Sequence, residues 1–116
     1  MKYEGSCHCG KISYEIEGEI TQVAECNCSI CSNRGYLLWM VPRQKLHLLT
    51  GENNLTTYTF NTHQIKHRFC PTCGSGIFGE GINPKTNAPM AAINVRCLDN
   101  VNTSILKRIP FDGKSL

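Results

Sequence analysis

The sequence predicts a mainly β fold, and two observations support this prediction. No segment of about ten residues or more has the hydrophobic period of an amphipathic helix. Instead, short apolar or alternating runs recur along the 116-residue chain. Glycine, proline and asparagine separate these runs, a pattern that is typical of β-sandwiches and curved sheets. Chains of this length usually form one domain, so we expect a single domain over residues 1–116.

The apolar runs predict nine short strands. Ile12, Tyr14 and Ile16 alternate with polar residues, as expected for a strand with one buried face. The most apolar run precedes Pro42 and predicts a central strand buried on both faces. In chain order the strands are predicted at residues 2–7, 11–17, 22–25, 36–41, 46–49, 55–60, 65–69, 77–80 and 90–95.

The segments between the strands give weaker signals. Residues 28–31 predict a single helical turn, since a C-x-x-C spacing brings two side chains together across a tight turn. Residues 83–89 predict a polar loop. The tail at residues 105–116 has no regular pattern, and within it residues 110–113 predict only a turn.

Eight cysteines are a large number for a chain of this length. An even number indicates either a disulfide framework in a secreted protein or metal and catalytic sites in the cytosol. The chain start lacks the apolar stretch of a secretory signal, so we expect a cytoplasmic protein. Cys7 and Cys9 would form a strained mutual disulfide, but they could ligate one metal ion. Metal binding is therefore the favoured interpretation.

Seven of the cysteines fall into three clusters. Joining the two outer pairs gives a closed four-cysteine site, which is typical of structural zinc. The central triplet then forms a three-cysteine site with an open position, which is typical of catalytic zinc. The sequence thus predicts two zinc ions per chain, although Cys97, a histidine or a partner chain could close the second site. The outer pairs are Cys7 and Cys9 with Cys70 and Cys73, and the triplet is Cys26, Cys28 and Cys31.

Charge and hydropathy exclude two classes of partner. The formal net charge is +3 with every thiol neutral. Zinc ligation ionises thiols, and seven thiolates with two zinc ions cancel this positive excess. We therefore expect no nucleic-acid binding. The longest apolar run, at residues 36–41, is far too short to span a bilayer, so we also expect no membrane partner.

The clustered motifs resemble those of the glutathione-dependent formaldehyde-activating enzyme family, also called the Gfa or centromere protein V domain. The resemblance covers most of the chain. It rests on GSCHCG at residues 5–10, CNCSIC at 26–31, FCPTCGS at 69–75 and NVRCLD at 94–99.

The resemblance implies an Mss4-like (β-tent) fold of curved antiparallel sheets stapled by zinc. It also implies that the two outer cysteine pairs hold a structural zinc and that Cys26, Cys28 and Cys31 hold a catalytic one. The implied activity is that of a carbon–sulfur lyase acting on a small thiol adduct, formed from glutathione and formaldehyde or a related carbonyl. Asn27 stands where members of the family often have histidine.

Two other functions stay open. Zinc-bearing methionine sulfoxide reductases share this fold and carry a reactive cysteine late in the chain, a position that Cys97 could fill. A lone cysteine is nevertheless more often a buried small hydrophobic residue. The chain could also be a non-enzymatic interaction module stapled by zinc. For a thiol substrate, Arg34 and Arg96 are candidate carboxylate clamps, and no general base is identifiable.

Overall fold

The computed structural model describes residues 1–50 and 53–113, and of Glu52 the backbone only. In these residues the chain forms ten strands and one short helix, α1 (Ser29–Arg34). The strands are β1 (Lys2–Ser6), β2 (Ser13–Glu17), β3 (Val23–Cys26), β4 (Leu38–Pro42), β5 (Leu46–Leu48), β6 (Thr56–Tyr58), β7 (Lys66–Phe69), β8 (Gly76–Ile82), β9 (Pro89–Asn94) and β10 (Arg108–Phe111).

The strands form two sheets. One has three strands in the order β1-β2-β5, and the other has seven in the order β10-β3-β4-β9-β8-β7-β6. Neighbouring strands are antiparallel, except that β10 runs parallel to β3. The predicted mainly β class is confirmed, and the curved sheets are consistent with the Mss4-like fold.

The tail departs from the sequence prediction. It contributes β10, which the sequence did not predict, and Phe111 of this strand lies opposite Cys26 of β3. The strand has four residues, includes Pro110, and finds its partner far away in the chain. No local alternation could therefore reveal it. The last three residues of the predicted tail, 114–116, lie outside the described residues.

The main core lies between the two sheets, since its buried residues come from both of them. Tyr14 and Ile16 of β2 belong to this core together with Trp39 and Val41 of β4. Tyr3 also packs edge-on against Trp39, with 5.4 Å between the ring centroids. Burial of such apolar side chains is the main force that holds two sheets face to face.

The prediction that β4 is buried on both faces is wrong. Trp39 and Val41 are buried, but Met40 between them is 55% exposed. The side chains of a strand alternate between the faces of a sheet. Only one face of β4 is therefore covered by the main core, and the other, near Met40, faces solvent.

A second, smaller cluster covers part of that other face. Leu38 alternates with Trp39, so it points away from the main core. It packs with Ile30, Cys31 and Tyr36, which come from α1 and the residues just after it. The helix thus lies on the outer face of the seven-stranded sheet, close to the triplet cysteines. Within the described chain, no helix is long and apolar enough to cross a membrane.

Candidate metal centres and the adjoining cleft

The two outer cysteine pairs meet in space, as predicted. The Sγ atoms of Cys7, Cys9, Cys70 and Cys73 all lie within 4.8 Å of one another. The Cys7–Cys9 and Cys9–Cys70 sulfur distances are 3.5 and 3.7 Å. A tetrahedral ion with metal–sulfur bonds of about 2.3 Å has sulfur–sulfur edges of about 3.8 Å. The four thiols could therefore hold one metal ion with little rearrangement.

This four-cysteine cluster connects the two sheets. Cys7 and Cys9 lie in the turn between β1 and β2, and Cys70 and Cys73 lie in the turn between β7 and β8. Each turn is closed by backbone hydrogen bonds, such as the N–H of Gly74 to the carbonyl oxygen of Cys70 at 2.9 Å. A metal ion held here would join two turns that belong to different sheets.

Ser75 supports the four-cysteine cluster from outside. Its Oγ accepts the backbone N–H of His8 at 3.2 Å and lies 3.3 Å from the Sγ of Cys73. Hydrogen bonds with the side chain and backbone of Ser75 are the largest causes that lower the pKa of Cys73 to about 5. One serine thus contacts both cysteine turns and favours the thiolate form that a metal ion needs.

The triplet forms the second cluster. The Sγ atoms of Cys26, Cys28 and Cys31 lie within 4.8 Å of one another, and among residues 1–50 and 53–113 no further cysteine, histidine or carboxylate belongs to the group. Neither Cys97 nor a histidine is therefore placed to close it. Three convergent thiols without a fourth protein ligand are the arrangement that leaves a coordination position for a small molecule.

The start of α1 shapes this triplet. Cys26 ends β3, Cys28 is the N-cap residue of α1, and Cys31 is buried in its first turn. Burial raises the pKa of Cys31 well above its usual range. Burial also opposes ionisation of Cys28, but backbone N–H groups and the neighbouring thiols lower its pKa on balance. Metal binding would have to displace the proton of Cys31, so loading of the triplet should improve as pH rises.

The tail forms a wall of the triplet that the sequence did not predict. The backbone N–H of Asn27 donates to the carbonyl oxygen of Phe111 at 3.1 Å. Its side-chain amide donates to Oδ1 of Asp112 at 2.9 Å. Gly113 lies so close that a Cβ atom there would stand 2.5 Å from the Sγ of Cys26. No local pattern in the tail connected Phe111, Asp112 or Gly113 to the cysteines.

A cleft of about 590 Å³ opens beside the triplet. Cys26 and Cys31 line it together with the tail residues Phe111 and Asp112 and with Arg96. This volume lies within the range of sites that bind small molecules. The open side of the three-thiol cluster therefore adjoins a space large enough for a substrate.

The comparisons with known proteins agree with this geometry. Residues 2–109 match the model of the family described as glutathione-dependent formaldehyde-activating enzyme. The chain belongs to this family. A crystal structure of a Rhodobacter sphaeroides protein, solved as a structural genomics target, is similar to it, with 32% identity and a TM-score of 0.79. That likeness covers 92% of this chain and 97% of the other. The resemblance seen in the motifs is confirmed.

The family match spans both cysteine clusters and ends before the tail wall. Residues 2–109 include all eight cysteines but not Phe111, Asp112 or Gly113. The tail wall therefore lies outside the residues that match the family model.

Cys97 lies apart from the triplet. Its Sγ is 3.5 Å from the carbonyl oxygen of Gly76 and 3.7 Å from Nδ2 of Asn94. Burial raises its pKa to about 11, and the nearby Cys7 and Cys73 add to this rise. A reactive cysteine normally has a lowered pKa. The environment of Cys97 therefore favours a packing role over the nucleophile of a redox enzyme.

The histidines that could have approached a metal have other partners. His63 Nδ1 lies 2.7 Å from Oγ1 of Thr59, and His67 stacks on Phe60 with 5.4 Å between the ring centroids. Burial lowers the pKa of His67, and the charge of Arg34 adds to this effect. Neither histidine belongs to a metal cluster in the described residues.

We predict that Cys97→Ser keeps both metal ions and most of its stability. The serine hydroxyl can still donate to the carbonyl oxygen of Gly76, so the free energy of unfolding should fall by only about 1–2 kcal/mol. Metal analysis under reducing conditions, together with thermal melts, would measure both quantities. Loss of one metal ion in this variant would place Cys97 in a coordination shell and contradict the open triplet.

Proposed function

We propose that the protein is a zinc-dependent enzyme of the carbon–sulfur lyase type. Its reaction would join a small thiol such as glutathione to formaldehyde or a related carbonyl, and would run in both directions. The single observation that carries the proposal is the three-thiol cluster, which lacks a fourth protein ligand in the described chain and opens on the cleft. Membership of the family supports glutathione as the thiol.

We propose zinc for both clusters because their donor sets consist only of thiols. Zinc binds cysteine thiolates in tetrahedral sites, and an all-sulfur set disfavours magnesium and calcium. The four-cysteine cluster would hold the structural ion and the triplet the catalytic one, which gives two zinc ions per chain. All seven thiols must stay reduced to serve this purpose, so we also propose a cytoplasmic location.

The proposed chemistry is an addition without redox change. The substrate sulfur forms a bond to the carbonyl carbon, the C=O π pair moves to oxygen, and that oxygen takes a proton while the thiol loses one. Zinc held by three thiolates would supply a Lewis-acidic position that favours the ionised form of the substrate sulfur.

The residues around the triplet would do the remaining work. The sulfurs of Cys26, Cys28 and Cys31 lie within 4.8 Å of one another, because β3 and the first turn of α1 fix the backbone on either side of the cluster. Phe111 and Gly113 cover Cys26 from the tail. Holding a substrate in place beside its reaction partner removes much of the entropic barrier to attack.

We predict that glutathione binds the two-zinc protein and does not bind Cys31→Ser. The serine variant lacks one thiolate of the triplet, whereas the four-cysteine cluster that joins the sheets is intact. Calorimetric titration of glutathione into both proteins measures binding. NMR exchange spectroscopy of glutathione and formaldehyde at equilibrium measures the reaction.

Cys97→Ser is the matched control, because it removes a partly buried thiol outside both clusters. Its glutathione binding and exchange rate should equal those of the wild type. Equal binding of glutathione to wild type and Cys31→Ser would contradict the enzyme proposal. Exchange between glutathione and formaldehyde that is no faster with the wild type than in buffer would also contradict it. The zinc-stapled interaction module would then be the better account.

A further inference from the structure

We propose that Arg96 determines substrate specificity by binding a carboxylate of the thiol substrate. This inference rests on the proposed function and narrows the substrate class to thiols that carry a carboxylate. The sequence left Arg34 and Arg96 as equal candidates. The structure distinguishes them by their place relative to the triplet.

The side chain of Arg96 is fixed at the cleft by its own contacts. Its Nε donates to the carbonyl oxygen of Gly35, just after α1, at 2.9 Å. Its backbone N–H donates to Oδ1 of Asn94 at 3.2 Å, and the amide of Asn94 is tied to the carbonyl oxygen of Gly76. The Nε edge of the guanidinium is thus held by protein, and among the described residues neither Nη1 nor Nη2 donates a hydrogen bond, so these donors can serve a ligand.

Arg96 also supplies the positive charge of the cleft. Of the described residues that line the cleft, it alone carries a cationic side chain. Among residues 1–50 and 53–113, no carboxylate lies within ion-pair distance of Arg96, whereas Glu25 of the same cleft pairs with Arg108 at 3.2 Å. A planar guanidinium with free paired donors suits bidentate recognition of a carboxylate.

The charges of the cleft are separated along the sheet. Glu25 belongs to β3 and Asp112 directly follows β10, at one edge of the seven-stranded sheet. Arg96 follows β9, which lies two strands further into the sheet than β3. A ligand carboxylate is attracted by Arg96, whereas the acidic residues at the other side of the cleft offer it no cationic partner. A thiol that places its sulfur at the triplet would therefore lie with its carboxylate toward Arg96.

Arg34 does not share these properties. Its Nη1 donates to the hydroxyl of Tyr36 at 2.8 Å, and its guanidinium lies over the ring of Phe69 at 5.4 Å from the centroid. It lines a smaller cavity of about 260 Å³ with Tyr58 and Phe60. Its contacts are those of an arginine that packs α1 against the sheet. The simpler role for Arg96, support of the end of α1, explains its Nε bond but not its position in the cleft.

The test uses ligands that separate the carboxylate from the thiol. S-methylglutathione keeps both carboxylates and has no free thiol, whereas the dimethyl ester of glutathione keeps the thiol and has no carboxylate. Calorimetric titration of each into the zinc-loaded protein compares wild type, Arg96→Gln and Arg96→Lys. Lys45→Gln is the matched control, because it removes an exposed cation that does not line the cleft.

We expect S-methylglutathione to bind Arg96→Gln about 10- to 100-fold more weakly than wild type, because a charge-assisted pair is lost. The affinity of Arg96→Lys for S-methylglutathione should lie between those of wild type and Arg96→Gln, since lysine keeps the positive charge and loses the paired donors. Lys45→Gln should bind as wild type does, and the dimethyl ester should bind wild type and Arg96→Gln equally. Zinc content and melting temperature check that the Arg96 variants are folded.

The outcomes separate this inference from the proposed function. Equal binding of S-methylglutathione to wild type and Arg96→Gln overturns the role of Arg96, even if the thiol reaction proceeds. Failure of S-methylglutathione to bind the wild-type protein also overturns the role of Arg96. Binding that depends on Arg96 in a protein that shows no thiol exchange supports the carboxylate site and removes the enzyme proposal.

Discussion

Cys70→Ser is expected to unfold most of the chain at room temperature. Cys70 is completely buried, and it belongs to the cluster that joins the β1–β2 turn to the β7–β8 turn. Structural zinc contributes an apparent binding free energy of about 10–16 kcal/mol, which is also folding free energy. The net stability of a domain is only about 5–15 kcal/mol. Replacing one of the four cysteines should therefore remove most or all of the net free energy of unfolding.

Circular dichroism and metal analysis under reducing conditions measure this effect. The variant should lose the cooperative thermal transition and bind less than one zinc ion per chain. Cys97→Ser is the control, since it replaces a thiol in the same core without touching the cluster. A Cys70→Ser protein that melts cooperatively within a few degrees of the wild type would show that the sheets hold together without this metal site.

The nine strands of the sequence prediction are present because their signals are local. Alternation of Ile12, Tyr14 and Ile16 reports a buried face directly, and Gly and Pro mark where strands end. The grouping of seven cysteines into two clusters could also be predicted. Closely spaced thiols can bind the same metal ion, and a tetrahedral ion takes four ligands, so few groupings are possible. Both kinds of inference use residues that are near each other in the sequence.

The exposed face of β4 shows where composition misleads. Residues 36–41 are nearly all apolar, which favours a strand buried on both sides. In the structure, Tyr36 and Leu37 precede the first residue of β4, and Met40 within the strand is exposed. Which face is covered depends on how far α1 extends over the sheet, and a six-residue helix covers only its start. That extent is a tertiary property.

The tail wall and the role of Arg96 depend on long-range contacts. Asn27 and Asp112 are 85 residues apart in the sequence, as are the partners Arg108 and Val23. Arg96 reaches Gly35 across 61 residues. No spacing rule connects such positions. The sequence could therefore predict the two cysteine clusters that could hold metal ions, whereas the cleft beside the triplet is seen only in the structure.

Gly113→Ala is expected to weaken metal binding at the triplet about 10- to 100-fold, which is the usual effect of disturbing the residues that support metal ligands. A Cβ atom at this position would stand 2.5 Å from the Sγ of Cys26 and 3.2 Å from the Cβ of Cys28. Neither partner is the flexible end of a long side chain, since β3 and α1 hold both cysteines. Either the thiol of Cys26 moves out of the cluster or the tail leaves its place beside β3.

Competition with a chelator measures this prediction, and the four-cysteine zinc serves as the internal reference. Gly81→Ala is the matched control, because a Cβ there would meet its nearest neighbour at an ordinary 3.7 Å. The triplet zinc of Gly113→Ala should be lost first and at lower chelator concentration, whereas the four-cysteine zinc should be lost as in wild type. Equal retention of the triplet zinc in Gly113→Ala, Gly81→Ala and wild type would mean that the tail does not support Cys26, and the wall would then be only a neighbour of the site.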